Sequence, residues 1–458
     1  MKWTLAQLKS ELSRRPELKA WVVTQENVHR RERYFLAEKD GHVAVDQDRD
    51  TESQSISVRL FVKLPKPGRQ GEIAKNLFPL LPLGPQLDSA VAAAQQTDME
   101  AWDLPAEVPQ KLPEVRTADP RMSEDLNRVV NDLTRDVVRF ASAKRRAIFN
   151  SAELFLSVHD RELHLSNGLV RRQSSSRIYS EAAFSAEKGS GAEKVSDEFN
   201  TRVWSVGLND LSIEKLFDET AMLAERTIEV AKPETGSYPV IVGADVLLSL
   251  CNDYIPYLSA TSSYLGLPFK KPGDALIPDA KGDLLTLKLD PQFELAAGST
   301  SISDQGVEQR PLELVRENRI ITTIADKQYS DYLKIRPTTT RGSVVIEPGK
   351  STYEELTKAA PKVLEILQFS ALFTNPTTGT FGSEIRLARL FDNVAGTVTY
   401  LKGGSLAGSI FENFSNVRLS NRCVKSAEFS TFMANDRPHG VGYYGPEFAL
   451  LNDVSVVG

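Results

Sequence analysis

Residues 236–254 read GSYPVIVGADVLLSLCNDY, and the character of the chain changes there. Tyr238–Val242 is a short β-prone run, Gly243 punctuates it, and Val246–Tyr254 is apolar at helical spacing. The stretch is read as a buried strand feeding straight into a buried helix, here drawn over 243–257. Just upstream, Lys232-Pro-Glu-Thr-Gly236 is the most plausible boundary in the chain. Before it, helical and strand-like patterns alternate. After it, glycine is frequent, helices are few, and short strand-like runs recur: DLLTLKL, NRIITTIA, SVVIEPG, GTVTYLKGG and FALLNDVSVVG. The expectation is an α+β chain of two domains. Residues 1–232 form an α/β-type domain with strands and long helices; residues 233–458 form a β-rich domain, barrel- or sandwich-like.

Upstream of the boundary, residues 4–14 suggest an amphipathic helix. Residues 31–63 suggest short strands, of which Ser55–Val62 alternates most clearly until Pro65, Pro67 and Gly68 stop it. A helical piece comes next, near 86–95. The clearest helix spans 122–146, with Leu126, Val129, Val130, Leu133, Val137, Val138 and Phe140 on one stripe and Ser123 as its cap. Residues 151–170 alternate like a hairpin that could turn at Asp160–Glu162. Residues 177–206 suggest further strands, and 212–230 a second helix. Beyond the boundary one more helix is drawn over 351–368, with Ser351 and Glu354 as a capping box.

Composition narrows the function classes. At 458 residues the chain exceeds what one hydrophobic core usually supports. A net charge of −6 argues against a duplex-DNA binder, which needs lysine and arginine for phosphates. Two cysteines, Cys251 and Cys423, give no disulfide framework and fit a reducing compartment. The first residues carry charges every few positions and lack the apolar core of a signal peptide. No stretch approaches 18 apolar residues, so no membrane span is expected and the cytoplasm is the default location.

The search for chemistry yields little. The five histidines are His29, His42, His159, His164 and His439, and no two make a helical H-E-x-x-H pair. His159 and His164 read as ordinary strand-surface histidines. Gly440–Gly445 matches G-x-G-x-x-G, but the residues after it read as a strand rather than a helix, so a glycine-rich turn with positive φ is the better reading. There is no P-loop and no G-x-S-x-G elbow. Cys251 on its helix reads as a small core residue, although a cysteine–histidine pair with a distant partner is conceivable. Carboxylate pairs such as Asp279/Asp283 and Glu354/Glu355 carry no specific signal.

Several segments nevertheless resemble the TldD/TldE (PmbA) family, in order along the chain. GSYPVIVGADVLLSL (236–250) resembles its G-x-Y-P-V-(V/I)-(L/V)-G segment leading into an apolar helix. GSTSISDQGVEQRPLELVREN, from Gly298, resembles its G-(T/S)-x-x-(F/Y)-D-D-E-G-V stretch. NPTTGTFGSEI (375–385), LFDNVAGTVTYLKGGSLAGSIFENFSNV (390–417) and the closing DVSVVG resemble further family segments; RELHLSNGLVRR resembles the strand-rich N-terminal domain more loosely.

The resemblance implies a division of labour. The family's catalytic TldD type carries H-E-x-x-x-H on the helix after Y-P-V-V-L-G, and its two histidines and a later cysteine hold a metal, zinc by preference. With LLSL set against LLHE, Ser249 and Leu250 fall on the first histidine and the glutamate, and Tyr254 on the second histidine. The resemblance therefore assigns this chain no catalytic and no metal-binding residue. It implies a TldE/PmbA-like subunit, without a cofactor of its own, whose zinc would sit in a TldD-like partner. The expected substrate is an extended peptide, and a homodimer is expected in isolation. The family's heteromers degrade peptides and were once named modulators of DNA gyrase. The chain departs from the pattern in three places. D-D-E-G is reduced to Ser303-Asp304-Gln305-Gly306, P-V is replaced by Leu401-Lys402, and the cysteine-bearing G-T-C-G-K is absent. The alternative is a divergent homodimeric peptidase or peptide-binding protein, in which His439, with Tyr443 and Tyr444, meets Cys251 or Asp253 in a cleft.

Overall fold

The computed structural model describes residues 2–38, 41–191, 194–429 and 440–458. It is a mixed α+β fold rich in strand. Seven strands make the first sheet: β1 Leu18–Ala37, β2 Val43–Lys63, β3 Arg69–Leu77, β4 Met99–Glu100, β5 Ile148–Leu165, β6 Val170–Lys188 and β7 Val195–Ser205. Their spatial order is β4-β3-β2-β1-β5-β6-β7, antiparallel throughout. The short strands expected over 31–63 are in fact parts of two strands of 20 and 21 residues. The charged middle of β2 looks like loop in sequence, because Asp46–Ser55 is exposed along an edge that β3 does not reach.

Alternation decides which side of this sheet meets what. Ala152, Leu154, Leu156 and Val158 of β5 face one way, into a core shared with two helices, α4 Leu126–Ala141 and α5 Ile213–Arg226. Three helices precede α4: α1 Leu5–Arg14, α2 Leu83–Gln95 and the short α3 Pro120–Glu124. The first two cover the other end of the same face around Trp21, Val58 and Leu60. The helix drawn over 122–146 is thus broken at Asp125, which caps α4 by accepting from the Arg128 amide at 2.9 Å. Asp119, not Ser123, caps the short turn before it. The hairpin between β5 and β6 turns at Asn167–Gly168, where Gly168 has φ +96°, not at Asp160–Glu162. Asn-Gly is the stronger turn signal of the two. Asp160 stays in the strand, held by the Ser174 hydroxyl across the ladder.

The remaining strands are β8 Gly236–Gly243, β9 Leu287–Asp290, β10 Leu312–Arg316, β11 Arg319–Ile320, β12 Ser343–Ile346, β13 Lys362–Asn375, β14 Thr380–Asp392, β15 Thr397–Leu401, β16 Ser405–Ser409, β17 Arg418–Leu419, β18 Cys423–Glu428, β19 Val441–Pro446 and β20 Phe448–Val457. One sheet runs β11-β10-β9-β12-β19-β18. The other closes on itself: β13 pairs β8, β8 pairs β20, β20 pairs β16, β16 pairs β14, and β14 returns to β13. This closed ring is barrel-like, one of the two forms expected, and closure leaves its strands few open edges. Pro239 sits in β8 where the register with β20 slips between Leu451 and Val454, a place where a missing amide costs nothing.

Three local expectations are corrected here. The helix over 243–257 is shorter, α6 Ala244–Asn252, with a separate turn after it at Pro256–Leu258. The helix over 351–368 shrinks to Tyr353–Thr357, capped by Thr352 with Glu355 rather than Ser351 with Glu354. Pro361 comes next, and Val363–Ile366 are all buried in a strand, Glu365 included, so the apolar residues do not alternate with the period of two that marks a half-buried strand. Finally, Val441–Pro446 is a strand and not a glycine turn; of its glycines and Gly440, only Gly440 has positive φ, at +66°.

Candidate functional site

The helix α6 enters directly from β8, with Gly243 at its N-cap. Val240 and Val242 of the strand and Leu247, Leu248, Leu250 and Cys251 of the helix share one core with the surrounding sheets. The helix is therefore a central packing element. Leu250 and Tyr254 are completely buried, whereas Ser249 is half-buried. The Tyr254 hydroxyl donates to the Ile410 carbonyl, and its ring meets Phe411 and Phe414 edge-on. A buried tyrosine needs such a partner for its hydroxyl. The residues at the positions that the resemblance sets against the metal helix do not fit a metal: the Ser249 hydroxyl and a Tyr254 phenol committed to a backbone carbonyl are poor donors beside imidazole, and the aliphatic Leu250 at the glutamate position is no base. Among the described residues, no group of three or more His, Cys, Asp or Glu is placed to hold a metal ion.

Of the alternative cluster, the described residues include Cys251, Asp253, Tyr443 and Tyr444 but not His439. Cys251 is wholly buried, and burial pushes its thiol far up, away from the reactive thiolate. Asp253 is buried beside it, and its charge adds to that effect. Tyr443 does reach the Cys251 core, but its hydroxyl donates to the Pro446 carbonyl at 2.9 Å. Tyr444 points the other way, towards Phe293, as alternation on a strand demands. His439 lies outside the described residues. The carboxylate pairs have local work: Asp283 accepts from the Leu419 amide at 2.7 Å, and Glu355 caps its helix.

The histidines read as surface residues are the main surprise. His159 and His164 are each only 5% exposed. His164 Nε2 lies 3.1 Å from Glu162, which also pairs Arg172. His159 sits on the face of β5 opposite the helices. Its Nδ1 is 3.1 Å from Glu26 of β1, and its Nε2 is 3.0 Å from the Ser157 hydroxyl. Burial holds the His159 ring below its ordinary basicity, although Glu26 pulls the other way. The bond to His159 holds the Glu26 carboxyl below the usual range, against the effect of burial. The only trace in the sequence was Ser157 and His159 alternating with Leu156 and Val158, polar residues on the second buried face of one strand.

That face looks across to the closed-barrel half. A recess of about 40 Å³ opens between them, lined in part by Glu26, Arg161 and Arg177 on one side and Gly298, Arg341 and Phe429 on the other. Gly298 has φ +77°, which lets the loop turn in. Asp304 bridges Arg161 at 2.8 Å and Arg341 at 2.7 Å. Ile302 packs with Val22, Leu163 and Leu165 of the first sheet. Ser303–Gly306, the reduced remnant of the acidic stretch, thus lies in a turn that fastens the two halves. Arg177 lies over the Phe429 ring at 5.2 Å, and burial lowers its basicity.

Residues 235–458 match the PmbA/TldA metallopeptidase C-terminal domain. No curated protein matches the chain in sequence. Solved structures match over nearly its whole length. TldE from Thermococcus kodakarensis aligns with a TM-score of 0.77 at 17% identity, over 99% of this chain and 100% of that one. A modulator of DNA gyrase from Thermotoga maritima gives 0.74 at 18% identity, over 99% and 100%. One from Bacteroides thetaiotaomicron gives 0.74 at 16%, over 99% and 97%. At these identities the likeness concerns the fold.

Proposed function

The chain belongs to the TldD/TldE (PmbA) family through the domain at residues 235–458, and from that premise we propose that it is the metal-free, TldE-like subunit of a two-subunit peptidase system acting on extended peptides. The observation that carries this reading is the state of α6. Leu250 and Tyr254, at the positions where the catalytic type holds its glutamate and second histidine, are closed into the core. Leucine cannot serve as a general base, and neither residue can move to a substrate without unpacking the domain. The metal, a zinc ion that activates water, would come from a TldD-like partner, and this chain would complete the chamber and limit access to it. A cytoplasmic location and a homodimer in the absence of the partner belong to the same reading.

The test is reconstitution. The chain alone, loaded with zinc and then desalted, is expected to retain well under one metal per chain by elemental analysis and to leave unfolded peptides intact. Added to a TldD-like subunit, it is expected to raise peptide cleavage. Stoichiometric zinc in the pure chain, or cleavage by the partner that is indifferent to this chain, would overturn the reading.

A further inference from the structure

Ser157 and His159 stand two residues apart on β5 and so share a face, and Glu26 reaches the same face from the neighbouring strand. Ser157 Oγ lies 3.0 Å from His159 Nε2, and His159 Nδ1 lies 3.1 Å from Glu26. With Glu26 ionised and the ring neutral, Nδ1–H donates to the carboxylate, and Nε2 is left to accept the serine hydroxyl proton. Nucleophile, base and orienting carboxylate thus stand in a row at hydrogen-bonding distance, the arrangement that activates a serine on unrelated folds. Ser157 also has an arginine opposite it on each side: Arg30 on β1 and Arg177 on β6. A guanidinium is suited to stabilise negative charge developing on a carbonyl oxygen. Glu26 and Arg177 both line the recess between the two halves. The opposite face of β5 at Leu154, Leu156 and Val158 is purely apolar, so this polar set is not what packs the strand against its helices.

We propose that Ser157, His159 and Glu26 form an acyl-transfer site of this chain's own, independent of any metal, that accepts small carboxylic esters from the side of the recess, whose wall includes Glu26 and Arg177 while Ser157 and His159 lie behind it. Ser157 adds to the ester carbonyl carbon while its proton passes to His159 Nε2, and the carbonyl oxygen takes the negative charge near Arg177. The intermediate collapses, the C–O bond to the alcohol breaks, and the alcohol leaves with the proton from His159. Water then adds to the acyl-serine by the same route, releasing the carboxylic acid and restoring Ser157. Glu26 acts through His159 and is a positioning residue. Ser157 is 6% exposed, which restricts the substrate to a short acyl group.

The experiment uses the full chain with chelator present throughout, which silences metal-dependent hydrolysis and keeps this proposal separate from the subunit reading. A fluorophosphonate probe is added, and the modified peptide is mapped by mass spectrometry. The expected result is an adduct on Ser157, absent from Ser157→Ala and formed about 100-fold or more slowly in His159→Gln. In Glu26→Gln the pH dependence of labelling should shift, a readout that a packing role would not move. Should His159→Gln fail to fold by circular dichroism, Ser157→Cys supplies the second test: its alkylation by iodoacetamide should outpace that of Cys423 and track the titration of a histidine. No adduct on Ser157, or labelling of equal speed in a folded His159→Gln chain, overturns the proposal.

Discussion

Leu250 and Tyr254 carry opposite kinds of burial, and their variants should fail differently. Leu250→Ala leaves a cavity and is expected to cost about 2–5 kcal/mol. Tyr254→Phe keeps the ring among Phe411 and Phe414 but strips the Ile410 carbonyl of its donor, for about 1–3 kcal/mol. Denaturant midpoints at constant slope would measure both. A Tyr254→Phe chain as stable as the parent would mean that the Ile410 carbonyl finds another donor. His159 sets a pH dependence. Its folded basicity is below the unfolded value of about 6.5, so below that pH the unfolded chain binds the extra proton. Stability should therefore fall as the pH drops through about 6.5, and His159→Gln should flatten that step in the melting temperature. An unchanged step would assign it to another group. Sequence reading placed Ser249 and Leu250 on a helix, as the structure does, but also Tyr254, which lies beyond the end of α6 at Asn252. It missed His159, because burial on the second face of a strand depends on residues far away in sequence, such as its partner Glu26, 133 residues upstream, which spacing along one strand does not encode.

At the scale of elements, the long strands show why local patterns mislead. β2 keeps its extended form through Asp46–Ser55 because β1 pairs with it along the whole length, not because its residues favour strand. Its free edge bears Asp46, Asp48, Asp50 and Glu52, the charged dressing that discourages strand addition. Amide exchange along 46–55 is accordingly expected to remain unchanged when an extended peptide is added, and protection there would mark this edge as a docking strand. Helix ends were partly legible: α5 starts at Ile213, one residue from the start drawn at 212, whereas the Asp125 break was hidden within a continuous apolar stripe. Asp125→Ala should cost about 0.5–2 kcal/mol, as lost caps do, and Ser123→Ala next to nothing. Equal losses from the two would move the cap back to Ser123.

On the scale of the whole molecule, the two halves are joined by packing as well as by chain. Leu387 of β14 lies in the core that α4 and α5 share, Ile302 lies against Val22, and Phe429 meets Trp204 of β7 at 5.3 Å. A fragment of residues 235–458 should thus expose apolar surface that the full chain hides, and bind a hydrophobic dye where the full chain does not; a fragment that stays dark and cooperative would mean that these contacts add little. The β-rich character was legible from recurrent short runs, which left barrel and sandwich both open; which strands close the ring was not legible, since pairing partners lie far apart in sequence. The closing seam has a temporal consequence. β8 binds β20, roughly 200 residues further on. During synthesis Gly236–Gly243 leaves the ribosome long before its partner exists, so the ring stays open until Phe448–Val457 emerges. For that interval an apolar strand edge is displayed to every neighbour, and premature termination anywhere between the two strands would leave a product that chaperones must hold.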